Sequence, residues 1–308
     1  MVPREPRLVG TAQAARRTPL AVRWLIAGAG GMLGLDLQRE LASRAGHTVT
    51  ALGRADLDVT DASAVTAAVA GHDVVVNAAA FTRVDDAETE VTAAAAVNSI
   101  GAAHLAAASA LTGARFFQVS TDYVFDGTAT EPYAEDAPLT PLSIYGRTKA
   151  DGERMAAAAY PEGTTILRTA WLYGAGGENF VSTMLRLAAS HPTVSVVTDQ
   201  HGQPTWTLDL ARRIVDLAET DAPAGIYHAT NAGVASRFDF AREIFRLAGL
   251  DPERVLPAEG DAFVRPAARP AYSVLGHHAW APAGLEPMRD WREALADAAR
   301  DGVLEAQA

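Results

Sequence analysis

Apolar residues along this chain fall into short runs whose internal spacing changes from one run to the next. Trp24-Leu25-Ile26-Ala27 is continuously apolar and leads straight into Gly28-Ala29-Gly30-Gly31-Met32-Leu33-Gly34. Leu33, Leu37 and Leu41 then recur every fourth residue among Asp36, Gln38, Arg39 and Glu40. The first pattern predicts a buried strand and the second an amphipathic helix. Val49-Thr50-Ala51-Leu52 predicts a second strand, and Val65 and Val69 mark a second helix with Asp61 as its N-cap. Residues 73–80 are apolar without alternation, as in a parallel strand covered on both faces. An Ala-rich helix over residues 89–110, a strand over 114–120, a proline-bearing loop over 126–143 and a helix carrying Tyr145 and Lys149 follow. The next expected strand runs over residues 164–174, after which the strand–helix rhythm loosens. Helices are expected near residues 179–189, 208–218, 238–247 and 288–299, with a strand at 194–197 and an apolar run at 226–228 between them.

These elements imply an α/β protein with a doubly wound parallel sheet of the Rossmann type and a smaller mixed α/β substrate-binding domain. We expect residues 22–170 to form the dinucleotide-binding domain and residues 171–308 mostly the substrate-binding domain, with some segments returning to the first. Strand, glycine turn and helix in succession let a pyrophosphate approach the backbone and rest on helix N-terminal amides. The spacing Gly28-x-x-Gly31-x-x-Gly34 departs from the G-x-G-x-x-G fingerprint, although Gly30 is also present. A tight turn without ligand is the alternative reading of the same glycines. Beyond the second strand, NAD-binding units usually carry an acid about 20 residues past the glycines, where it grips the ribose 2′-hydroxyl. Here Arg54 stands at that point, which favours the 2′-phosphate of NADP(H); Asp56 and Asp58 close by moderate the preference.

The 308 residues are 49% hydrophobic, enough for two compact bodies with real cores. A net charge of −11 argues against nucleic acid or an anionic membrane as partner, while leaving room for a phosphorylated small molecule held by a few local arginines. No cysteine is present, so disulfides, thiolate nucleophiles and cysteine metal sites are excluded. The eight histidines show no metal-ligand spacing, and no metal is expected. Residues 1–21 hold Arg4, Arg7, Arg16 and Arg17 against one acid and contain no apolar run, so we read a disordered leader rather than a secretory signal. No segment is expected to approach the ~20 apolar residues of a membrane span. A cytoplasmic protein is the expectation, with the oligomeric state, a homodimer included, left open.

Tyr145 and Lys149 are four residues apart and share one helical face. An ammonium near a phenol favours the phenolate, so this pair predicts a lowered Tyr145 pKa and an acid/base at neutral pH. Asn98, a poor helix former inside the Ala-rich helix, reads as a hydrogen-bonding residue behind the site or as a solvent-exposed surface residue. Thr121 and Asp122 sit where a fourth parallel strand delivers them to the carboxyl edge, the side on which open α/β sheets bind ligands.

Taken together, Gly28-x-x-Gly31-x-x-Gly34, Asn77-Ala78-Ala79-Ala80, Ser120-Thr121-Asp122-Tyr123-Val124-Phe125 and Tyr145-x-x-x-Lys149 resemble the extended short-chain dehydrogenase/reductases. More narrowly, residues 77–88, 120–127, 141–149, 168–173 and 199–205, with Arg269-Pro270-x-Tyr272-Ser273, resemble the dTDP-4-dehydrorhamnose reductase family. The resemblance covers nearly all of residues 22–300 and implies hydride transfer from NADPH, or NADH, to C4 of a dTDP-4-keto-6-deoxysugar. It implies that Tyr145 donates a proton to the developing alkoxide, that Lys149 holds the nicotinamide ribose and that Thr121 binds the same oxygen. Asp122 would orient the sugar, with Tyr123 and Trp171 as further substrate contacts and Arg265 and Arg269 as candidates for the diphosphate. Cofactor contacts are implied at Gly28, Gly31, Met32, Leu33, Gly34, Arg54, Asp58, Val59, Ala79, Ala80, Phe81 and Thr82.

Rival readings remain within this picture. A 4,6-dehydratase needs a base after the threonine–aspartate pair, and Tyr123 at a pKa near 10 is a poor one. An epimerase would retain its cofactor, which sequence does not report. A 4-ketoreductase of another dTDP-deoxysugar from an antibiotic pathway would share every motif. A non-catalytic NADP-binding regulatory subunit is disfavoured by the joint presence of Thr121, Tyr145 and Lys149.

Overall fold

The computed structural model describes residues 21–260 and 265–305. The leader expected over residues 1–21 therefore falls, apart from Ala21, outside the described residues. The first half runs β1 (Val22–Ala27), α1 (Met32–Ser43), β2 (His47–Leu52), α2 (Ala62–Val69), β3 (Val74–Asn77), α3 (Val91–Ala95), a π turn (Ala96–Ile100), α4 (Gly101–Thr112), β4 (Arg115–Thr121), α5 (Ile144–Ala159) and β5 (Thr164–Thr169). The second half runs β6 (Leu172–Tyr173), α6 (Phe180–Ser190), β7 (Val194–Val197), β8 (His201–Gly202), β9 (Thr205–Trp206), α7 (Thr207–Ala218), β10 (Gly225–His228), β11 (Ala235–Ser236), α8 (Arg237–Leu247), β12 (Val255–Ala258) and α9 (Trp291–Arg300).

Six parallel strands form the central sheet in the order β10-β5-β4-β3-β1-β2. The apolar runs lack alternation because both faces are covered. Trp24 and Ile26 point to the face packed by Leu37 of α1 and by Leu210, Ile214 and Val215 of α7. Leu25 and Ala27 point to the opposite face, against Val65 of α2, Leu105 of α4 and Ala156 of α5. Asp61 caps α2 as expected, accepting from the amides of Ser63 and Ala64. A second core, with Tyr173, Met184, Phe240, Ile244 and Trp291 at its centre, belongs to the segments after β5. Three segments of that half join the first body: β10 extends the main sheet beside β5, α7 covers α1, and the stretch carrying Trp280 and Met288 packs into the same core.

Three local expectations change. The strand foreseen over residues 164–174 is broken at Ala170-Trp171, where Trp171 takes a φ of +46°, a left-handed conformation that costs an L-residue about 1–2 kcal/mol. The Ala-rich helix carries a π turn centred on Asn98, so it is not a uniform α-helix. The helical run Val91–Thr112 is, by length and composition, apolar enough to cross a bilayer, contrary to the reading that no segment approached this. It lies on the sheet, burying Ala94, Ala102, Leu105 and Ala106, with Asn98 hydrogen-bonded to Phe81 and Thr148.

Behind the carboxyl edge, β4, β5 and α5 are joined by a buried ion pair. Arg168 of β5 donates from Nη2 to Glu153 of α5 at 2.8 Å, both side chains almost wholly enclosed, and Ser120 of β4 donates its hydroxyl to the same carboxylate. Arg168 also donates to the Glu135 carbonyl at 2.9 Å, tying down the long loop after β4. His228 of β10 accepts from Arg168 at Nε2 and donates from Nδ1 to Gly276 at 2.9 Å. Removing one partner would leave an ion enclosed without its counter-charge. Arg168→Met is expected to cost about 3–5 kcal/mol in urea unfolding, with the denaturant slope unchanged.

Candidate active site

The chain's strand order places a crevice between the carboxyl ends of β1 and β3, where successive connections leave in opposite directions. Gly28 opens that crevice. Its φ of +82° suits glycine, and a Cβ there would lie 2.5 Å from the Ala79 amide nitrogen, so the two βα turns touch backbone to backbone. Gly34 is likewise pressed against Ala29 and explained by packing. Gly30 and Gly31 differ: a Cβ at Gly30 would meet nothing within 4 Å, and one at Gly31 only the Gly28 carbonyl at 3.5 Å. Gly31 heads α1 with no side-chain cap, so the first-turn amides of Met32 and Leu33 have no capping acceptor. That combination fits a dinucleotide pyrophosphate.

Around the crevice, Val59 is buried and packs on Gly101, while Phe81 is fixed by Asn98, which accepts from its amide at 2.8 Å and donates to its carbonyl at 3.2 Å. Ala79 and Ala80 are part-buried and Thr82 is exposed beside them. Arg54 is exposed at the end of β2. The acids near it are exposed too but bonded within their own loop: Asp56 accepts from the Gly53 amide at 2.9 Å, and Asp58 accepts from the Thr60 amide and hydroxyl. Those Thr60 bonds hold the Asp58 carboxyl below its ordinary pKa. Arg54 is therefore an exposed cation at the position read from sequence, where a 2′-phosphate would be met, with the neighbouring carboxylates engaged locally.

Tyr145 reaches the sheet edge through a close helix approach. Ser143 caps α5 by accepting from Gly146 at 3.2 Å. A Cβ on Gly146 would fall 2.2 Å from the Tyr123 carbonyl, so only glycine lets α5 lie on the turn that ends β4. Thr121 donates its hydroxyl to Asp122 at 3.0 Å and accepts from the Tyr123 amide at 3.2 Å. The Tyr145 phenol lies near the Thr121 hydroxyl, and its ring meets Tyr123 edge-on with centroids 5.6 Å apart. Thr121, Asp122, Tyr123 and Tyr145 thus converge.

Lys149 does not play the part that its spacing suggested. Its Nζ is buried and donates to the Val119 carbonyl at 2.6 Å. Burial pushes the Tyr145 phenol above the ordinary tyrosine range; the Thr121 hydroxyl opposes this and the charge of Asp122 adds to it. The expectation of a phenol acidified by Lys149 is corrected: desolvation outweighs a lysine directed elsewhere. Burial also lowers Lys149 to about 8, against the favourable charge of Glu153 one turn along α5. Asp122 is pushed up to about 6 by burial, opposed by the hydroxyls of Ser273 and Thr121 and by the charge of Arg237.

Next to Tyr123 lies a cavity of about 770 Å³ whose wall includes Trp171, Phe180, Gln200, Arg237, Arg265 and Arg269. Its size suits a small-molecule ligand. Arg269 pairs bidentately with Asp85, both contacts at 2.9 Å, and Arg265 approaches the same carboxylate at 3.9 Å. Arg269 is therefore already engaged, where sequence reasoning left it free for a diphosphate. Sequence reasoning passed over Arg237, whose guanidinium lies 3.6 Å from the Trp171 ring centroid. Its only local signal was a Ser236-x-x-Asp239 capping box, which fixes a helix start and says nothing of the cavity.

A family model described as RmlD substrate binding domain matches residues 22–303. The chain belongs to that family. It is 54% identical over 281 residues to a dTDP-4-dehydrorhamnose reductase of Streptomyces griseus, covering 89% of this chain and 92% of that protein. It is equally 54% identical, over 284 residues, to a probable dTDP-4,6-dihydroxy-2-methyloxan-3-one 4-ketoreductase of Streptomyces antibioticus, covering 91% of this chain and 95% of that one. A Bacillus anthracis dTDP-4-dehydrorhamnose reductase solved in complex with NADP superposes with a TM-score of 0.88 at 38% identity, covering 92% of this chain and all of that structure.

The environment of Asp122 has a consequence for stability. Its folded pKa of about 6 lies above the unfolded value of 3.8, so ionising it costs the fold stability as pH rises from about 4 through about 6. Asp122→Asn removes that cost and is expected to raise Tm near neutral pH by about 2–6 °C, with the gap to wild type closing below about pH 4.

Proposed function

We propose that this protein reduces the C4 ketone of dTDP-4-dehydro-6-deoxy-L-mannose to dTDP-L-rhamnose, with NADPH as the reductant. The observation that carries the reading is the meeting of Thr121 and Tyr145 beside a cavity large enough for a nucleotide sugar, in a chain of this family. The open Gly30–Gly31 turn, the uncapped start of α1 and exposed Arg54 support NADPH on the other side. When bound there, the reduced nicotinamide supplies a hydride.

The chain's own residues manage the oxygen. As hydride reaches C4, the carbonyl oxygen gains negative charge and becomes an alkoxide. Tyr145, held as a neutral phenol by its burial, has the proton ready to donate, and an alkoxide is far more basic than a phenolate, so transfer runs downhill. Thr121, turning its one hydroxyl proton from Asp122 to the substrate, donates a hydrogen bond to the same oxygen and aligns it. The phenolate left behind regains its proton from solvent, and Lys149, whose Nζ donates to the Val119 carbonyl, is assigned to the nicotinamide ribose rather than to the phenol. Asp122 and Tyr123 orient the sugar, and Trp171 covers it. In this reading residues 22–170 hold the cofactor, the segments after β5 hold most of the substrate, and the cytoplasm supplies both reactants.

A second reading, a 4-ketoreductase acting on another dTDP-4-keto-6-deoxysugar, is favoured by the Streptomyces antibioticus relative, which matches as well as the first. The two differ only in the sugar accepted. Supplying dTDP-4-keto-L-rhamnose and its epimeric 4-keto sugars with NADPH, and following oxidation of the nicotinamide, separates them by kcat/KM. No oxidation with any of these sugars would sink both.

Tyr145→Phe is expected to keep NADPH affinity and to lose turnover by about 10²–10⁴-fold. Because Lys149 titrates at about 8, kcat/KM should fall on the alkaline side of that value. Lys149→Met should lower the rate throughout and abolish that limb; an unchanged alkaline limb in the variant would remove Lys149 from the mechanism.

A further inference from the structure

Three arginines, Arg237, Arg265 and Arg269, contribute to one wall of the cavity, and they are not equivalent. Arg269 has both arms on Asp85, and Arg265 stands more than half exposed near the same carboxylate. Arg237, at the start of α8, is part-buried and packs flat: its guanidinium lies 3.6 Å from the Trp171 ring centroid and 5.1 Å from that of Phe180. Among the described residues no carboxylate or carbonyl accepts from the guanidinium, while the backbone amide donates to the Gln200 carbonyl at 3.1 Å. Stacking uses the faces of the guanidinium and leaves its N–H donors, which lie at the edge, without an acceptor among the described residues, in a side chain that lines the cavity. Desolvation lowers its pKa to about 10, the mark of a cation whose enclosure is only partly offset by Tyr123 and Asp122.

The stack itself is held under constraint. Trp171 occupies the left-handed region at a φ of +46°, an arrangement that persists only where the surroundings enforce it. Its ring lies against Gly202, where a Cβ would fall 2.5 Å from the indole. Trp171 is therefore clamped between Gly202 and Arg237, and the clamp aims the arginine.

We propose that Arg237 is the residue that grips the diphosphate of the nucleotide-sugar substrate, and so sets the requirement for a nucleoside diphosphate over a neutral nucleoside. This rests on the nucleotide-sugar reading above. Arg237 stands beside Tyr123 and Asp122, within electrostatic reach of Arg265 and Arg269. With the ketone carbon at Tyr145, a diphosphate one sugar ring away falls among these three cations. Arg237 meets it with unshared donors, and Arg265 and Arg269 add field from the rim.

Isothermal titration of the full chain with dTDP, dTMP and thymidine, at low and moderate salt, tests this in wild type, Arg237→Met and Arg237→Lys. NADPH binding in each variant reports that the fold is intact. Arg237→Met should weaken dTDP by about 10–100-fold, leave thymidine unchanged and flatten the salt dependence, because a charge-assisted, bidentate contact is lost. Arg237→Lys should retain part of the dTDP affinity. Wild-type dTDP affinity in Arg237→Met would overturn the assignment while leaving the nucleotide-sugar reading intact. Equal losses for thymidine and dTDP would overturn it in favour of a packing role. A wild-type protein that binds NADPH but not dTDP would sink the nucleotide-sugar reading, and this assignment with it.

Discussion

The site depends on how closely one helix can lie against the end of one strand. α5 rests on the turn after β4 with no side chain between them, because Gly146 faces the Tyr123 carbonyl where any Cβ would collide. That contact brings a phenol from one segment to a hydroxyl from another. Deeper in, Glu153 on the same helix holds Ser120 of β4 and Arg168 of β5, so the strands that present Thr121 are locked to the helix that presents Tyr145. A shift of one ångström along this seam would break the reacting geometry, and rate is sensitive to errors of that size.

Burial is the second constraint, and it acts with a definite sign. A phenol inside a low-dielectric pocket resists ionisation, an ammonium resists protonation, and a carboxyl rises toward neutrality. Tyr145, Lys149 and Asp122 each move in that direction. For an enzyme working toward the alcohol this suits the chemistry, since the proton donor must carry its proton when hydride arrives. The same desolvation leaves a stability cost at Asp122, an instance of a site tuned against the fold that carries it.

The two halves of the chain share the work unevenly. The parallel sheet and its covering helices make a rigid edge, and the mixed body with its own core supplies the cavity wall. The loop after β3 links them, because Asp85 holds Arg269 across the mouth of the cavity. Trp171 sits at the join, at the point where β5 stops being a strand.

Local pattern was enough for much of this. Periodicity marked the strands and helices of the first half, since a strand buried on both faces and a helix buried on one leave different spacings of apolar residues. Gly28, Gly31, Thr121, Tyr145 and Lys149 were legible because their motifs combine residue type with fixed spacing. Three-dimensional context decided the rest. The direction of the Tyr145 shift depends on how much protein surrounds the phenol and on Lys149 turning to Val119, neither of which spacing encodes. That Arg269 is paired with Asp85, 184 residues away, is a tertiary contact, and so is the stacking of Arg237 on Trp171. Sequence alone sets which groups the chain possesses and on which elements they ride; whether each is charged, paired or free is a property of distances and desolvation, which exist only once the chain has folded.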